Sequence, residues 1–268
     1  MRTRRPDTAL RPVGRRVSVS GPSATPRHGL ARTLSKQGIC SRSEAERWVR
    51  AGRVSVDGQI VRDPEFPVRQ GKQRIQVDGQ AVSAVERVYL LLNKPRGLVT
   101  TTTDEQGRDT VYRCFADAGL PWLAPVGRLD KASEGLLLFS NDPAWAAAIT
   151  DPDSGPDKTY HVQIDRLPDD ALLHALRTGI KDGTEFLRAK QVQCLRTGEK
   201  NAWLSITLDE GRNRQIRRLL AAFDVAVLRL VRVAIGDLQL GELGKGQWRP
   251  LMAAEVAAFA QRPSAAGK

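Results

Sequence analysis

Hydrophobic and polar positions change rhythm near the first third of the chain. Residues 30–37 carry apolar side chains at helical spacing and run into Gly38, a helix-ending signal. Ser41 or Ser43 can cap a second helix through Ala51, with Glu44 and Glu46 in its first turn and Gly52 closing it. Residues 54–61 and 75–82 then alternate around Asp57-Gly58 and Asp78-Gly79, a dipeptide suited to a two-residue hairpin turn. Residues 29–84 therefore read as a small α/β domain, and residues 85–89 as a linker.

Residues 87–260 follow a different pattern. Continuous apolar runs at 89–93 and 135–140 predict buried strands, and alternation at 159–164, 202–208 and 227–235 predicts half-buried ones. Helical spacing at 144–150, 169–177 and 215–223 places short helices between them. Strand pairs with interspersed helices predict an α+β fold, with a mixed, mainly antiparallel sheet in this larger domain. Residues 1–28 lack periodicity and set seven arginines against Asp7. They read as a disordered basic arm, and residues 261–268 as a disordered tail.

Charge narrows the function. The chain has 268 residues with 42 Lys and Arg against 30 Asp and Glu, a net +12. Such an excess suits a polyanion, because each phosphate neutralised releases a condensed counterion. The three cysteines (Cys40, Cys114, Cys194) and three histidines (His28, His161, His174) show neither disulfide nor metal-ligand spacing. No metal or other cofactor is expected. No apolar run is long enough for a bilayer, and the basic start lacks a signal-peptide core, so a soluble, cytoplasmic protein without membrane partners is expected.

Three segments carry candidate chemistry. Asp130, in Gly127-Arg128-Leu129-Asp130, stands in a turn just before a buried strand; it either presents a carboxylate at a cleft or caps its turn. Tyr160, in Lys158-Thr159-Tyr160, offers a ring on which a base can stack, or is a core tyrosine. Glu210-Gly211-Arg212-Asn213-Arg214-Gln215-Ile216-Arg217-Arg218 opens a helix with several arginines, a natural phosphate site. An arginine beside a catalytic aspartate would keep that acid ionised.

Taken together, these segments resemble the pseudouridine synthases, most closely the RsuA group with its RluB, RluE and RluF branches. Lys94-Pro95-Arg96-Gly97, the Asp130 segment through Ser133-Glu134-Gly135-Leu136-Leu137, Lys158-Thr159-Tyr160, the Glu210–Arg218 string and Leu230-Val231-Arg232 with Gly236 follow in that group's order over roughly residues 30–250. The string 38–46 and Gly52-Arg53-Val54-Ser55-Val56-Asp57-Gly58 resemble the RNA-binding domain of ribosomal protein S4. There Arg32, Lys36, Arg42, Arg47, Arg50 and Arg53 would face RNA backbone; otherwise they form a solvated helix face.

The resemblance implies isomerisation of a specific uridine in ribosomal RNA, with no cofactor and by a monomer. The segment 104–108 leans toward the large subunit. Asp130 would be the catalytic carboxylate, acting on the ribose or on the uracil ring. Tyr160 would stack on the flipped base and take part in proton removal. Arg217 would pair with Asp130 and hold it ionised, and Leu230 would wall the pocket. Lys94, Arg128, Lys158, Arg212 and Arg214 would hold RNA backbone or shape the loops. Two alternatives stand beside this one: a non-catalytic RNA-binding protein of ribosome assembly on the same fold, and a hydrolase pairing Asp130 with Glu134.

Overall fold

The computed structural model describes residues 27–69, 72–83, 85–102 and 106–260. In the N-terminal unit, α1 (Leu30–Lys36) packs on α2 (Arg42–Arg50). Ser41, rather than Ser43, caps α2 by accepting the Glu44 N–H at 3.1 Å. Both Asp-Gly pairs adopt left-handed backbone (φ 51 and 84, then 50 and 79), as two-residue hairpin turns demand. The resulting strands β2 (Val54–Val56), β3 (Gln59–Ile60), β5 (Ile75–Val77) and β6 (Gln80–Ala81) join in one sheet, ordered β3-β2-β5-β6. Leu30, Leu34, Ala45, Val49, Val54 and Ile75 form its own apolar core.

One expectation is corrected here. Arg27 and His28, assigned to the disordered arm, belong to strand β1 (Arg27–Gly29), which pairs antiparallel with β4 (Pro67–Arg69). A three-residue strand has no alternation to read, and its partner lies some forty residues away. The rest of the arm, 1–26, and the tail, 261–268, lie outside the described residues, as do 103–105, which carry part of the large-subunit lean.

The larger unit is built on a nine-stranded sheet. Its main path runs β13 (Gln191–Thr197), β14 (Ala202–Leu208), β10 (Lys158–Ile164), β15 (Val227–Ile235), β9 (Glu134–Ser140), β7 (Tyr89–Lys94) and β17 (Trp248–Pro250). All its pairings are antiparallel except β9 with β15, where Val231 lies beside Glu134 and Arg232 beside Gly135. That parallel pair sits at the middle of the sheet, where Asp130 enters. The fold is thus α+β with an antiparallel-dominated sheet. The helices α4 (Asp170–Thr178) and α5 (Gln215–Ala221) cover one end of it through Leu176, Ile216, Leu219 and Leu220. The helices α3 (Pro143–Thr150) and α6 (Ala253–Ala260) cover another part through Trp145 and Phe259. Several elements had no prediction, among them β13, β17, α6 and the hairpin β11–β12 (Ile180–Asp182, Glu185–Leu187).

The linker is held in place. Asn141, 1% exposed, accepts the Val88 N–H at 2.9 Å and donates to the Glu86 carbonyl at 2.8 Å. Arg87 reaches both the Asn141 and the Lys36 carbonyls, tying the end of α1 to the end of β9.

Candidate active site

A cleft of about 1000 Å³ opens where β9, β10 and β15 meet the start of α5. Asp130, Tyr160, Arg217, Arg128, Lys158, Arg212, Arg214 and Leu230 all line it. These residues come from segments up to a hundred positions apart, and the sheet order alone brings them together.

Asp130 is exposed at the mouth of a tight turn, closed by the Ser133 N–H donating to the Asp130 carbonyl at 3.0 Å. The turn is gripped from several sides. Gly97 N–H donates to the Lys131 carbonyl at 2.8 Å, and Thr100 Oγ1 donates to the Leu129 carbonyl at 2.7 Å. Arg217 Nη2 donates to the Ala132 carbonyl at 3.3 Å.

Lys94 supplies the grip from below, which is the loop-shaping one of its two expected roles. It is 0% exposed, and its ammonium donates to the carbonyls of Pro95, Asp130 and Ser133 at 3.1, 3.2 and 2.8 Å. It therefore shapes the loop and is out of reach of a substrate, because its donors are committed inside the turn. Burial pulls the ammonium down to about 8, against the opposing pull of Asp130, Glu134 and Cys114. An unfolded lysine titrates near 10.5. The native state therefore binds fewer protons between these values, and stability from this group rises with pH across that window. We expect Lys94→Met to lower kcat by up to about 10²-fold through misplacement of the turn. In urea melts, the stability of wild type relative to this variant should rise between about pH 8 and 10.5; a flat difference would show that the ammonium is not held as described.

Arg217 is half-buried on α5 and faces a mixed field. Burial lowers its affinity for the proton, Asp130 raises it, and Arg214 and Arg96 lower it further. Asp130 and Arg217 are thus electrostatic neighbours. Among the described residues, though, no ion pair joins them, since the guanidinium is turned to the Ala132 carbonyl. The expected direct pair is replaced by a contact to the turn that carries Asp130.

The arginine string divides its labour. Arg218 binds Asp182 and Glu185, each at 2.6 Å, and Arg212 binds Glu210 at 2.7 Å and Glu185 at 3.3 Å. Gln215, 2% exposed, donates to Glu210 and to the Arg188 carbonyl. These contacts lock the loop onto the β11–β12 hairpin, so Arg212 lines the cleft with its charge already compensated. Arg214 precedes α5 with a left-handed backbone, φ 48, and is exposed; Arg128 is exposed too. Neither forms an ion pair among the described residues, so both charges face the cleft uncompensated.

Glu134 settles the paired-carboxylate alternative against it. On β9 it points to the face opposite Gly135, where Arg229 and Lys245 bind it at 2.9 and 2.8 Å. Burial would raise its carboxyl, but hydrogen bonds from those two cations outweigh it and hold it below the ordinary range. It does not line the cleft, so it offers Asp130 no acid–base partner. Among the described residues, no group of His, Cys, Asp and Glu could hold a metal ion, and no helix is long and apolar enough to cross a membrane.

In the N-terminal unit, Arg32, Arg42, Arg47, Arg50 and Arg53 are exposed, and Lys36 is half-buried against His28. Arg42, Arg47, Arg50 and Arg53 rest on Glu46 and Glu65, Glu44, Glu46, and Asp78. Such exposed pairs are weak. Sequence reasoning did not single out Gln215, Asn141, or the buried guanidinium of Arg232 at the cleft floor. The signal for Arg232 was an arginine on the inward face of an apolar strand, where charge is rare.

Comparison with known proteins agrees with this geometry. Residues 88–222 match the RNA pseudouridylate synthase family, and residues 29–74 match the S4 domain. The ribosomal large subunit pseudouridine synthase B of Bacillus subtilis is 34% identical over 230 residues, 85% of this chain and 93% of its own. An uncharacterized RNA pseudouridine synthase of Aquifex aeolicus is 36% identical over 226 residues, 84% of this chain and 90% of its own. A crystal structure of a pseudouridylate synthase superposes with a TM-score of 0.60 at 30% identity, spanning 87% of this chain and 99% of that one. A fold, a cleft and relatives that agree over most of both chains lead to one conclusion: this chain belongs to the RNA pseudouridylate synthase family.

Proposed function

We propose that this enzyme isomerises one uridine of ribosomal RNA, in the large subunit, with Asp130 as the catalytic carboxylate. The observation that carries the reading is an exposed aspartate on a rigidly gripped turn, in a cleft shared with Tyr160, Leu230 and a half-buried arginine. Residues 29–84 act as the RNA-holding domain and 87–260 as the catalytic one. The large-subunit target follows the named relative from Bacillus subtilis.

In the reaction the C1′–N1 bond breaks, the uracil turns, and a C1′–C5 bond forms; the proton leaving C5 is balanced by one gained at N1. The base must leave its stack to reach the cleft, at a cost of about a few kcal/mol. Arg128 and Arg214 take the flanking phosphates, while Lys158 lies at the cleft wall. Tyr160 and Leu230 hold the ring flat. Asp130, carried on a turn that Lys94 and Arg217 hold by its carbonyls, meets the sugar or the ring without reorganising, which is where preorganisation lowers a barrier.

The test is chemical mapping of pseudouridine across both ribosomal RNAs, in cells lacking the protein and in cells given it back. One large-subunit site should disappear and return. Purified enzyme should act on that segment without changing RNA mass; release of free uracil would mean hydrolysis, and no lost site would favour a binding protein of ribosome assembly. For Arg217→Ala we expect a loss of roughly 10²-fold in kcat, the scale of one lost charge-stabilising donor. Near-normal turnover would remove Arg217 from the site.

A further inference from the structure

We propose that Arg232 reads the substrate base: its Nη2 group, buried and without an acceptor among the described residues, donates to a carbonyl oxygen of the flipped uracil. This rests on the pseudouridine synthase reading above.

Arg232 is 5% exposed on β15 and lies directly across the ladder from Tyr160, on the face that carries Leu230. Its Nε donates to the Leu136 carbonyl at 2.7 Å. Its Nη2 is shielded from solvent and has no partner. Among the described residues the other such side-chain atom is Gln37 Oε1, an acceptor in the N-terminal unit. Buried donors nearly always have acceptors, and a guanidinium cannot shed its charge to escape the cost. Arg229, three residues earlier on the opposite face, has Glu134 as counter-ion; among the described residues Arg232 has no such carboxylate. An apolar side chain would fill this place on the strand without an orphaned donor.

The position selects the acceptor. Arg128 and Arg214 stand exposed on the cleft wall, where the RNA backbone passes. Arg232 lies deeper, beside the ring of Tyr160, so it meets the inserted base and not a phosphate. Uracil presents two carbonyl oxygens there, whereas cytosine presents an amino donor at C4. A donor aimed at O4 disfavours cytosine, whereas one aimed at O2 does not, since both bases carry that oxygen.

The experiment uses the mapped rRNA segment carrying uridine, 2-thiouridine or 4-thiouridine at the target position, since sulfur accepts a hydrogen bond poorly. Single-turnover rates and RNA affinities are measured for wild type, Arg232→Met and Arg232→Lys, with thermal melts to check folding. One of the two sulfurs should slow wild type roughly 10- to 100-fold, the worth of a hydrogen bond to a charged group. That same sulfur should add little further loss in Arg232→Met, with RNA affinity unchanged because backbone contacts dominate it. Wild type tolerating both sulfurs overturns the proposal without reference to any variant. So does a Met variant as sensitive to that sulfur as wild type. No product from wild type on the unmodified uridine would instead remove the underlying assignment.

Discussion

Replacing Asp130 by Asn is expected to leave a folded protein that binds its RNA and does not isomerise it. The side chains are nearly isosteric, and Asp130 serves the fold through its backbone, whose carbonyl accepts from Lys94 and Ser133. Its exposed carboxylate accepts no hydrogen bond among the described residues, so the amide leaves no donor stranded. Removing a negative charge between Arg128, Arg214 and Arg217 should hold or slightly tighten RNA affinity. What is lost is a nucleophile or proton acceptor aimed at the sugar or ring. A positioned acid–base group contributes about 10²–10⁴-fold, and a covalent role would make the loss larger. The readout is pseudouridine formed in a single turnover, beside the dissociation constant for the same RNA. Turnover near wild type would move the chemistry away from Asp130. Lost RNA affinity would point to a misfolded cleft.

The segments of this site were legible from local pattern, and their roles only through the resemblance. Local pattern left Asp130 as a cleft carboxylate or a turn cap and Tyr160 as a stacking ring or a core residue; the resemblance singled them out, and the fold sets both on the cleft. The four arginine positions from Arg212 to Arg218 were found as a group, but their roles were not. Helical spacing placed Arg214, Arg217 and Arg218 together, whereas Arg214 stands outside the helix in left-handed backbone and Arg218 turns to Asp182 and Glu185. Those acids sit on a hairpin thirty residues away, a pairing no local window contains. The role of Lys94 stayed open for a related reason. A lysine beside a Pro-Arg-Gly turn can hold RNA backbone or shape the loop, and only the tertiary fold supplies the three carbonyls that bury it. The edge strand β13 escaped because four of its seven residues are polar and Val192 is its one fully buried position.

The strand that follows the Asp130 turn depends on Gly135, and Gly135→Ala should test that dependence severely. Gly135 opens the buried run of β9 with φ 99, a conformation L-residues rarely adopt. A Cβ there would stand 2.3 Å from the Arg232 carbonyl oxygen and 2.9 Å from the Arg232 nitrogen. Both atoms are backbone of the parallel neighbour β15, so no side chain can swing aside. The backbone strain is worth about 1–3 kcal/mol, and overpacking adds about 1–3 kcal/mol more. Together these consume a large part of a typical domain's stability. Gly58→Ala is the matched control: its φ is 84, but nothing lies within 4 Å of the added Cβ. It should cost only the strain share. Urea denaturation of the two variants therefore separates the terms. A Gly135→Ala midpoint far below that of Gly58→Ala, or failure to fold, would show that β15 is seated against bare backbone at Gly135. Equal midpoints would mean that the two central strands can part by several tenths of an ångström. In that case the register that sets Arg232 and Tyr160 beside Asp130 would be loose, and so would the geometry on which catalysis relies.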